Sequence, residues 1–245
     1  MRQESAARYS VSPEIHDDDL LLPFLLKLPA FPEPRLAIDY YFSDGAESAR
    51  KLREVLIRNT SYAHHGRLSV LEFASGYGMV TRHLRHQLAG AEVVSCDIHD
   101  SAVAFINSTL HSRAVNSRHV PEELRFESVF DVVFALSFFS HMPEATFSRW
   151  LEALFRVVRP GGILVFTTHG LASQKYFGDV VLPESGFAFI ASSEQDDLDV
   201  AEYGSSIATP DYVIGELYRT IRAPIREFKH SYWWGHQDLY VVAKP

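Results

Sequence analysis

The sequence predicts an α/β fold wound on both faces of a mostly parallel sheet. Three features predict it. Strand-like and helix-like segments alternate over residues 68–169, a glycine turn joins the first of these strands to a helix, and the last two apolar runs are split by one tight turn. Alternation of this kind implies parallel strands, because parallel neighbours need a helical crossover rather than a short loop.

LSVLEFA (residues 68–74) reads as the first strand, followed by the glycine turn and a helix over MVTRHLRHQLA that ends at Gly90. AEVVSCD reads as the second strand and SAVAFINSTLHSR as the helix behind it. A weak third strand falls near residues 115–120. DVVFALSFF is β-branched and aromatic throughout, as suits a strand buried on both faces. A helix over residues 143–158 follows, with Pro143 suited to its first turn. Arg159-Pro160-Gly161-Gly162 then makes a tight turn into the strand ILVFTTH.

After Gly170 the pattern changes. GFAFIAS and YGSSIAT read as short strands of a substrate-side insertion spanning about residues 171–220, whose last part is a helix over residues 211–219. APIREFKHSYWW and QDLYVVAKP, separated by Gly235 and His236, read as a closing antiparallel hairpin. Of Trp233 and Trp234, one faces the substrate side at most, since adjacent strand side chains point opposite ways.

Residues 1–60 read as an N-terminal arm and helical extension ahead of a domain at 61–245. Prolines at 13, 23, 29, 32 and 34 make residues 1–34 an extended, partly disordered arm with an apolar patch. A helix follows over residues 46–58, with Leu52, Val55 and Leu56 as its stripe and Ser43 or Asp44 as its cap. Tyr40 and Tyr41 precede it, as packing residues or as a cover over a bound cofactor.

Composition excludes several classes. Asp+Glu 31 against Lys+Arg 23 gives a net charge of -8, which argues against broad contact with nucleic acid. Cys96 is the one cysteine, so no intrachain disulfide forms, and it reads as a small buried hydrophobe. LLLPFLLKLPAF is broken by Pro23, Lys27 and Pro29 and follows three aspartates, so it is neither a signal peptide nor a membrane span. The expectation is a cytoplasmic protein with no membrane span; oligomeric state is not legible.

The chemistry lies in Glu72-Phe73-Ala74-Ser75-Gly76-Tyr77-Gly78, between a strand and a helix, where a doubly wound sheet binds its ligand. Glycines there let the backbone approach a ligand. About 20 residues on, the second strand ends in Asp97, whose carboxylate suits the two hydroxyls of a ribose. A nicotinamide dinucleotide site shares this outline. However, Arg82 and its neighbours stand where a third glycine would let the helix pack, and Glu72 would repel a pyrophosphate while suiting an ammonium and a sulfonium.

In these residues the chain resembles the class I S-adenosylmethionine-dependent methyltransferases. EFASGYG is similar to their E/D-x-G-x-G-x-G loop, with Ala74 at the usual first glycine. CDIHDSAV resembles their second-strand acid and helix start, FDVVFALSFFSHMPE their fourth strand, and RVVRPGGILVFTTHG their turn and fifth strand. The closing hairpin resembles their antiparallel seventh strand. The resemblance implies a seven-stranded Rossmann-like sheet with S-adenosyl-L-methionine as cofactor. By position, Glu72 would hold the methionyl ammonium region, and Phe73, Ala74, Ser75, Gly76 and Gly78 would form the cofactor loop. Asp97 would bind the ribose and Ile98 the adenine, with Leu136 and Ser137 beside the methionine part. The third-strand loop, which in the family often supplies an acid to the adenine, offers His119, Val120 or Glu122.

SHMPE, TTHG, YGSS and GHQD resemble bacterial members that modify sugars, so the acceptor is expected to be a small-molecule or carbohydrate hydroxyl. A hydroxyl benefits from losing its proton, and imidazole titrates in a useful range. Of 12 histidines, His64, His65, His83, His86 and His111 read as solvated surface. His141 after the fourth strand, His169 ending the fifth and His236 in the last turn are the candidate bases. With Asp238 they could instead hold a divalent metal, though their spacing is no recognisable metal motif, and no metal is expected. The alternatives are a nucleotide-dependent oxidoreductase and a non-catalytic S-adenosylmethionine-binding protein.

Overall fold

The computed structural model describes residues 1–62, 67–193, 195 and 197–245. His64 and His65 therefore lie outside the described residues. The chain divides into two compact units, Met1–Ser117 and Arg118–Pro245.

The first unit begins with helices rather than an extended arm. Helix α1 (Arg2–Ala7) and α2 (Leu21–Lys27) precede α3 (Pro34–Asn59). Ala6, Ile15, Leu22 and Leu25 are buried in one cluster with Ala37, Ile38, Tyr41 and Phe42 of α3. The apolar patch thus orders the segment by burial, the largest favourable term in folding. Pro34 opens α3 at its first turn instead of breaking it. The helix consequently starts well before residue 46 and takes in Tyr40, Tyr41, Ser43 and Asp44. Gly45 lies in its middle, where a Cβ would collide with the Met79 carbonyl oxygen and stand 2.9 Å from the His83 ring. Glycine is unfavourable inside a helix, and here it permits close packing.

Strand β1 (Ser69–Phe73), helix α4 (Thr81–Gln87), β2 (Glu92–Asp97), α5 (Asp100–Ser108) and β3 (Arg113–Asn116) follow. β2 pairs in parallel with both β1 and β3. The third strand forms slightly earlier than residues 115–120, and Cys96 is fully buried.

The second unit contains β4 (Phe130–Ala135), α6 (Glu144–Arg156), β5 (Val158–His169), β6 (Phe187–Ile190), β7 (Ser205–Ala208), α7 (Pro210–Thr220), β8 (Ile225–Trp233) and β9 (Gln237–Ala243). β5 runs parallel to β4 and antiparallel to β9, which pairs antiparallel with β8. Phe134, Phe166, Trp233 and Tyr240 are fully buried here, and each such side chain stabilises the fold by roughly 1.5–3 kcal/mol.

Four local expectations change. β4 stops at Ala135 because Ser137 turns left-handed (φ 59°), and Phe138–Ser140 form a 3-10 turn. Arg159 to Gly162 belong to β5 rather than to a turn before it. There Gly161 N–H donates to the Lys244 carbonyl at 2.8 Å, and Lys244 N–H donates to that of Gly162 at 2.9 Å. A bulge between the Phe130 and Val132 pairings absorbs the extra residues. Pro143 caps α6 from outside. The hairpin turn starts at Trp234 (φ 51°), so Trp233 packs inside while Trp234 is partly exposed.

Seven strands form one sheet in the order β3-β2-β1-β4-β5-β9-β8, the expected mostly parallel, Rossmann-like arrangement closed by an antiparallel hairpin strand. β6 and β7 pair separately and antiparallel. Among the described residues no helix is long and apolar enough to cross a membrane.

Candidate active site

The glycine loop of the first unit is built by its own strand ends. Ala74, Gly76 and Gly78 all have positive φ, at 57°, 53° and 80°. Ala74 therefore occupies the left-handed conformation that a glycine adopts without strain. No atom lies within 4 Å of where a Cβ on Gly76 would stand, so this face of the backbone is open to a ligand. Ser75 Oγ is buried with no hydrogen-bond partner among the described residues. An open backbone and an orphaned hydroxyl fit a polar ligand such as the amino acid end of S-adenosylmethionine.

Two carboxylates frame this loop. Asp97 Oδ2 accepts from Gly76 N–H at 2.7 Å, and its Oδ1 accepts from His99 N–H at 3.1 Å with His99 Nδ1 at 2.9 Å. Ile98 between them is half-buried. Glu72 is buried, and its Oε2 accepts from Thr81 Oγ1 at 2.6 Å and Ser95 Oγ at 2.7 Å. Burial pushes its carboxyl up to about 7, the two hydroxyls oppose that, and Asp97 adds to it. Phe73 packs in the core. Sequence reasoning missed Thr81, Ser95 and His99. Ser95 stands opposite Glu72 only because of the β1–β2 register, which no short motif encodes.

His83 corrects an expectation. It is 3% exposed, packs edge-on to Tyr9 with ring centroids at 5.5 Å, and its Nε2 has no partner among the described residues. Burial, with the nearby Arg82 charge, lowers its pKa to about 3. The close approach at Gly45 puts α3 over this face of α4. His86 and His111 are exposed as expected.

In the second unit the three candidate bases form a row. The His169 ring lies 6.2 Å from that of His141 and 5.6 Å from that of His236. His141 Nδ1 is 2.7 Å from the Gly204 carbonyl oxygen, and His169 Nδ1 is 3.1 Å from that of Ser206. A carbonyl only accepts, so both rings carry their proton on Nδ1 and present Nε2 as the basic nitrogen. His236 Nδ1 meets Ser173 Oγ at 3.0 Å. Tyr203 stacks on His141 with ring centroids at 4.5 Å. Burial foremost, then His141 and His236, brings the His169 pKa down to about 3, and burial also lowers that of His236. His169 is therefore neutral at physiological pH. The anchoring residues Ser173, Tyr203, Gly204 and Ser206 were not singled out in the sequence beyond their motifs, because each lies at least 37 positions from its histidine.

Leu136 and Ser137 directly follow β4 and are half-buried. Ser137 N–H donates to Thr167 Oγ1 at 2.8 Å, and Gln237 Nε2 donates to Ser137 Oγ at 2.8 Å. His119 and Val120 are exposed, and Glu122 forms a two-point pair with Arg149 at 2.7 and 2.6 Å. Asp238 turns to Ser231 N–H at 2.8 Å, and among the described residues no group of three or more His, Cys, Asp or Glu could hold a metal ion. A separate open cavity of 640 Å³, bordered by Leu171, Thr209, Tyr212, Arg219 and His230, is lined by none of the three histidines.

Residues 71–164 match a protein family described as a methyltransferase domain. Among solved structures, magnesium protoporphyrin IX methyltransferase (ChlM) from Synechocystis PCC 6803 with bound S-adenosylhomocysteine has a TM-score of 0.59 at 12% identity, covering 99% of this chain and 94% of that one. The glycopeptide N-methyltransferase MtfA complexed with S-adenosylhomocysteine has a TM-score of 0.57 at 18% identity, covering 82% and 88%. An S-adenosylmethionine-dependent methyltransferase from Clostridium acetobutylicum ATCC 824 has 0.57 at 13% identity, covering 86% and 94%. No curated protein sequence matches the chain. Residues 71–164 thus match a methyltransferase domain, and the chain has the fold of these solved S-adenosylmethionine-dependent methyltransferases.

Proposed function

We propose that the chain transfers a methyl group from S-adenosylmethionine, held by the loop at residues 72–78 with Asp97 and Ile98, to a hydroxyl of a small-molecule or carbohydrate acceptor. Leu136 and Ser137 take the methionine side in this reading. The hydroxyl proton goes to Nε2 of His169 or His141, with His236 supporting the row. The observation that carries this is the row itself: two imidazoles whose Nδ1 atoms are tied to the Gly204 and Ser206 carbonyls. A base must be unprotonated before reaction, and burial keeps His169 so. The sulfonium already activates the methyl group, so alignment supplies much of the remaining rate.

In the same reading residues 61–245 are the catalytic domain, residues 1–60 its N-terminal extension, and residues 171–220 the acceptor-side insertion. Gly204 and Ser206, which anchor the two histidines, both come from that insertion. The solved relatives include an N-methyltransferase and a porphyrin methyltransferase, so the acceptor atom has to be tested directly.

The test is release of S-adenosylhomocysteine over a panel of sugars, phenols and amines. A hydroxyl compound is expected to turn over, and His169→Ala or His141→Ala to reduce that turnover about 10²–10⁴-fold with donor affinity unchanged. Unchanged turnover in both variants sinks the role of the row. Methylation confined to amines sinks the acceptor class.

A further inference from the structure

Arg82, in the helix that follows the glycine loop, is 5% exposed and nearly saturated with hydrogen bonds. Its Nε donates to the carbonyl of Gly78, the last glycine of the loop, at 3.0 Å. Its Nη1 donates to the carbonyls of Ser12 at 2.9 Å and Glu14 at 2.8 Å. Its Nη2 reaches the Tyr41 hydroxyl at 3.4 Å, and that hydroxyl donates to Asp19 Oδ2 at 2.7 Å. One planar guanidinium therefore ties the loop to both ends of the segment 12–19. Only a rigid fork with several donors can do this, and a lysine could keep part of it.

Between these two ties the segment carries His16 onto the loop. The His16 ring stacks on Tyr77 with centroids 4.9 Å apart and planes at 20°, and meets Phe105 edge-on at 5.3 Å. Tyr77 lies between Gly76 and Gly78, and its hydroxyl pairs with Ser101 Oγ at 2.8 Å. Taking a guanidinium out of water is costly unless its donors are satisfied. Here two of those acceptors are backbone carbonyls of a segment outside every strand and helix. Loosening the segment would strand the charge, so the order of the segment and the order of the loop rise and fall together.

The geometry points to residues 12–19 as part of the donor-binding machinery, with Arg82 as the positioning residue that latches them to Gly78 and His16 as the ring that braces Tyr77. This rests on the reading of residues 72–78 as the S-adenosylmethionine loop. By linkage, a ligand that orders the loop must order the segment, and damage to the segment must weaken the ligand by the same factor.

The test uses the full chain with S-adenosylhomocysteine as probe, followed by calorimetry and by hydrogen exchange over residues 8–20. In the wild type the ligand is expected to slow exchange across residues 12–19. Arg82→Ala should weaken binding at least about tenfold, since it removes several charge-assisted hydrogen bonds. His16→Ala, which removes a half-buried ring, should weaken binding about threefold to tenfold and abolish the protection with little change in Tm. Arg82→Lys should restore part of what Arg82→Ala loses. Wild-type affinity and unaltered protection in His16→Ala and Arg82→Lys would overturn the latch while leaving the donor loop intact. Failure of the wild type to bind the probe would overturn the donor reading itself and the latch with it.

Discussion

The glycine loop of the first unit and the histidine row of the second solve opposite problems with buried polar groups. Around the loop, two carboxylates accept hydrogen bonds from backbone and hydroxyl donors: Asp97 from Gly76 and His99, Glu72 from Thr81 and Ser95. Along the row, imidazoles donate to backbone carbonyls. Burial pushes Glu72 up to about 7 and His169 down to about 3, each toward its neutral form. In the proposed function the loop holds the hydroxyl-bearing donor and the row receives the acceptor's proton.

The largest effect should separate the two regions outright. Asp97→Ala removes the acceptor for both Gly76 and His99, and calorimetry should find S-adenosylhomocysteine bound roughly a hundredfold more weakly. His169→Ala should leave that affinity within about twofold. Equal losses in both variants would erase the division of labour.

The next effect is in pH dependence, and its sign differs between groups. For His83 and His169 the pKa falls from 6.5 to about 3 on folding. Their contribution to stability is fully present above pH 6.5 and is lost as pH falls toward 3, at most about 3 kcal/mol each by pH 4. For Glu72 the pKa rises from 4.5 to about 7, so its contribution is fully present below pH 4.5 and is lost as pH rises through 7. Urea unfolding of His83→Leu should show a shallower acid decline than the wild type, and Glu72→Gln a shallower decline from pH 4.5 to 7. Unchanged profiles would mean that these groups are solvated.

The smallest effect tests strain in the loop alone. A left-handed alanine costs about 1–2 kcal/mol, and glycine loses about 0.4–1 kcal/mol more entropy on folding. Ala74→Gly should therefore stabilise the chain by about 0.5–1 kcal/mol in thermal unfolding, without weakening the donor site. Destabilisation would show that Ala74 packs against something that glycine cannot replace.

The parallel sheet, the loop and Asp97 were legible because their signals are local. The loop follows its strand directly, and Asp97 ends the next strand at a spacing that one crossover helix sets. The histidines could be named from their positions after β4, at the end of β5 and in the last turn, although nothing in the sequence put their rings side by side. Other features were misread for the same reason. His83 looked like surface because α4 is polar in sequence, until Gly45 let α3 close over it. Residues 1–34 looked extended because prolines dominate them, until α3 offered their apolar residues a partner. Arg-Pro-Gly-Gly looked like a turn until β9 brought Lys244 within hydrogen-bonding distance.

By itself, the sequence determined the alternation of strands and helices, the place of the glycine loop and of the acid that ends the second strand. Backbone propensity, hydrophobic period and turn chemistry act over a few residues, and those were enough. The tertiary structure decided what Glu72 bonds to, which histidines are buried, that the row exists and what Arg82 bonds to. Each of these depends on partners brought together by strand register or helix packing, where burial sets the charge state and where a residue 70 positions away can supply the bond.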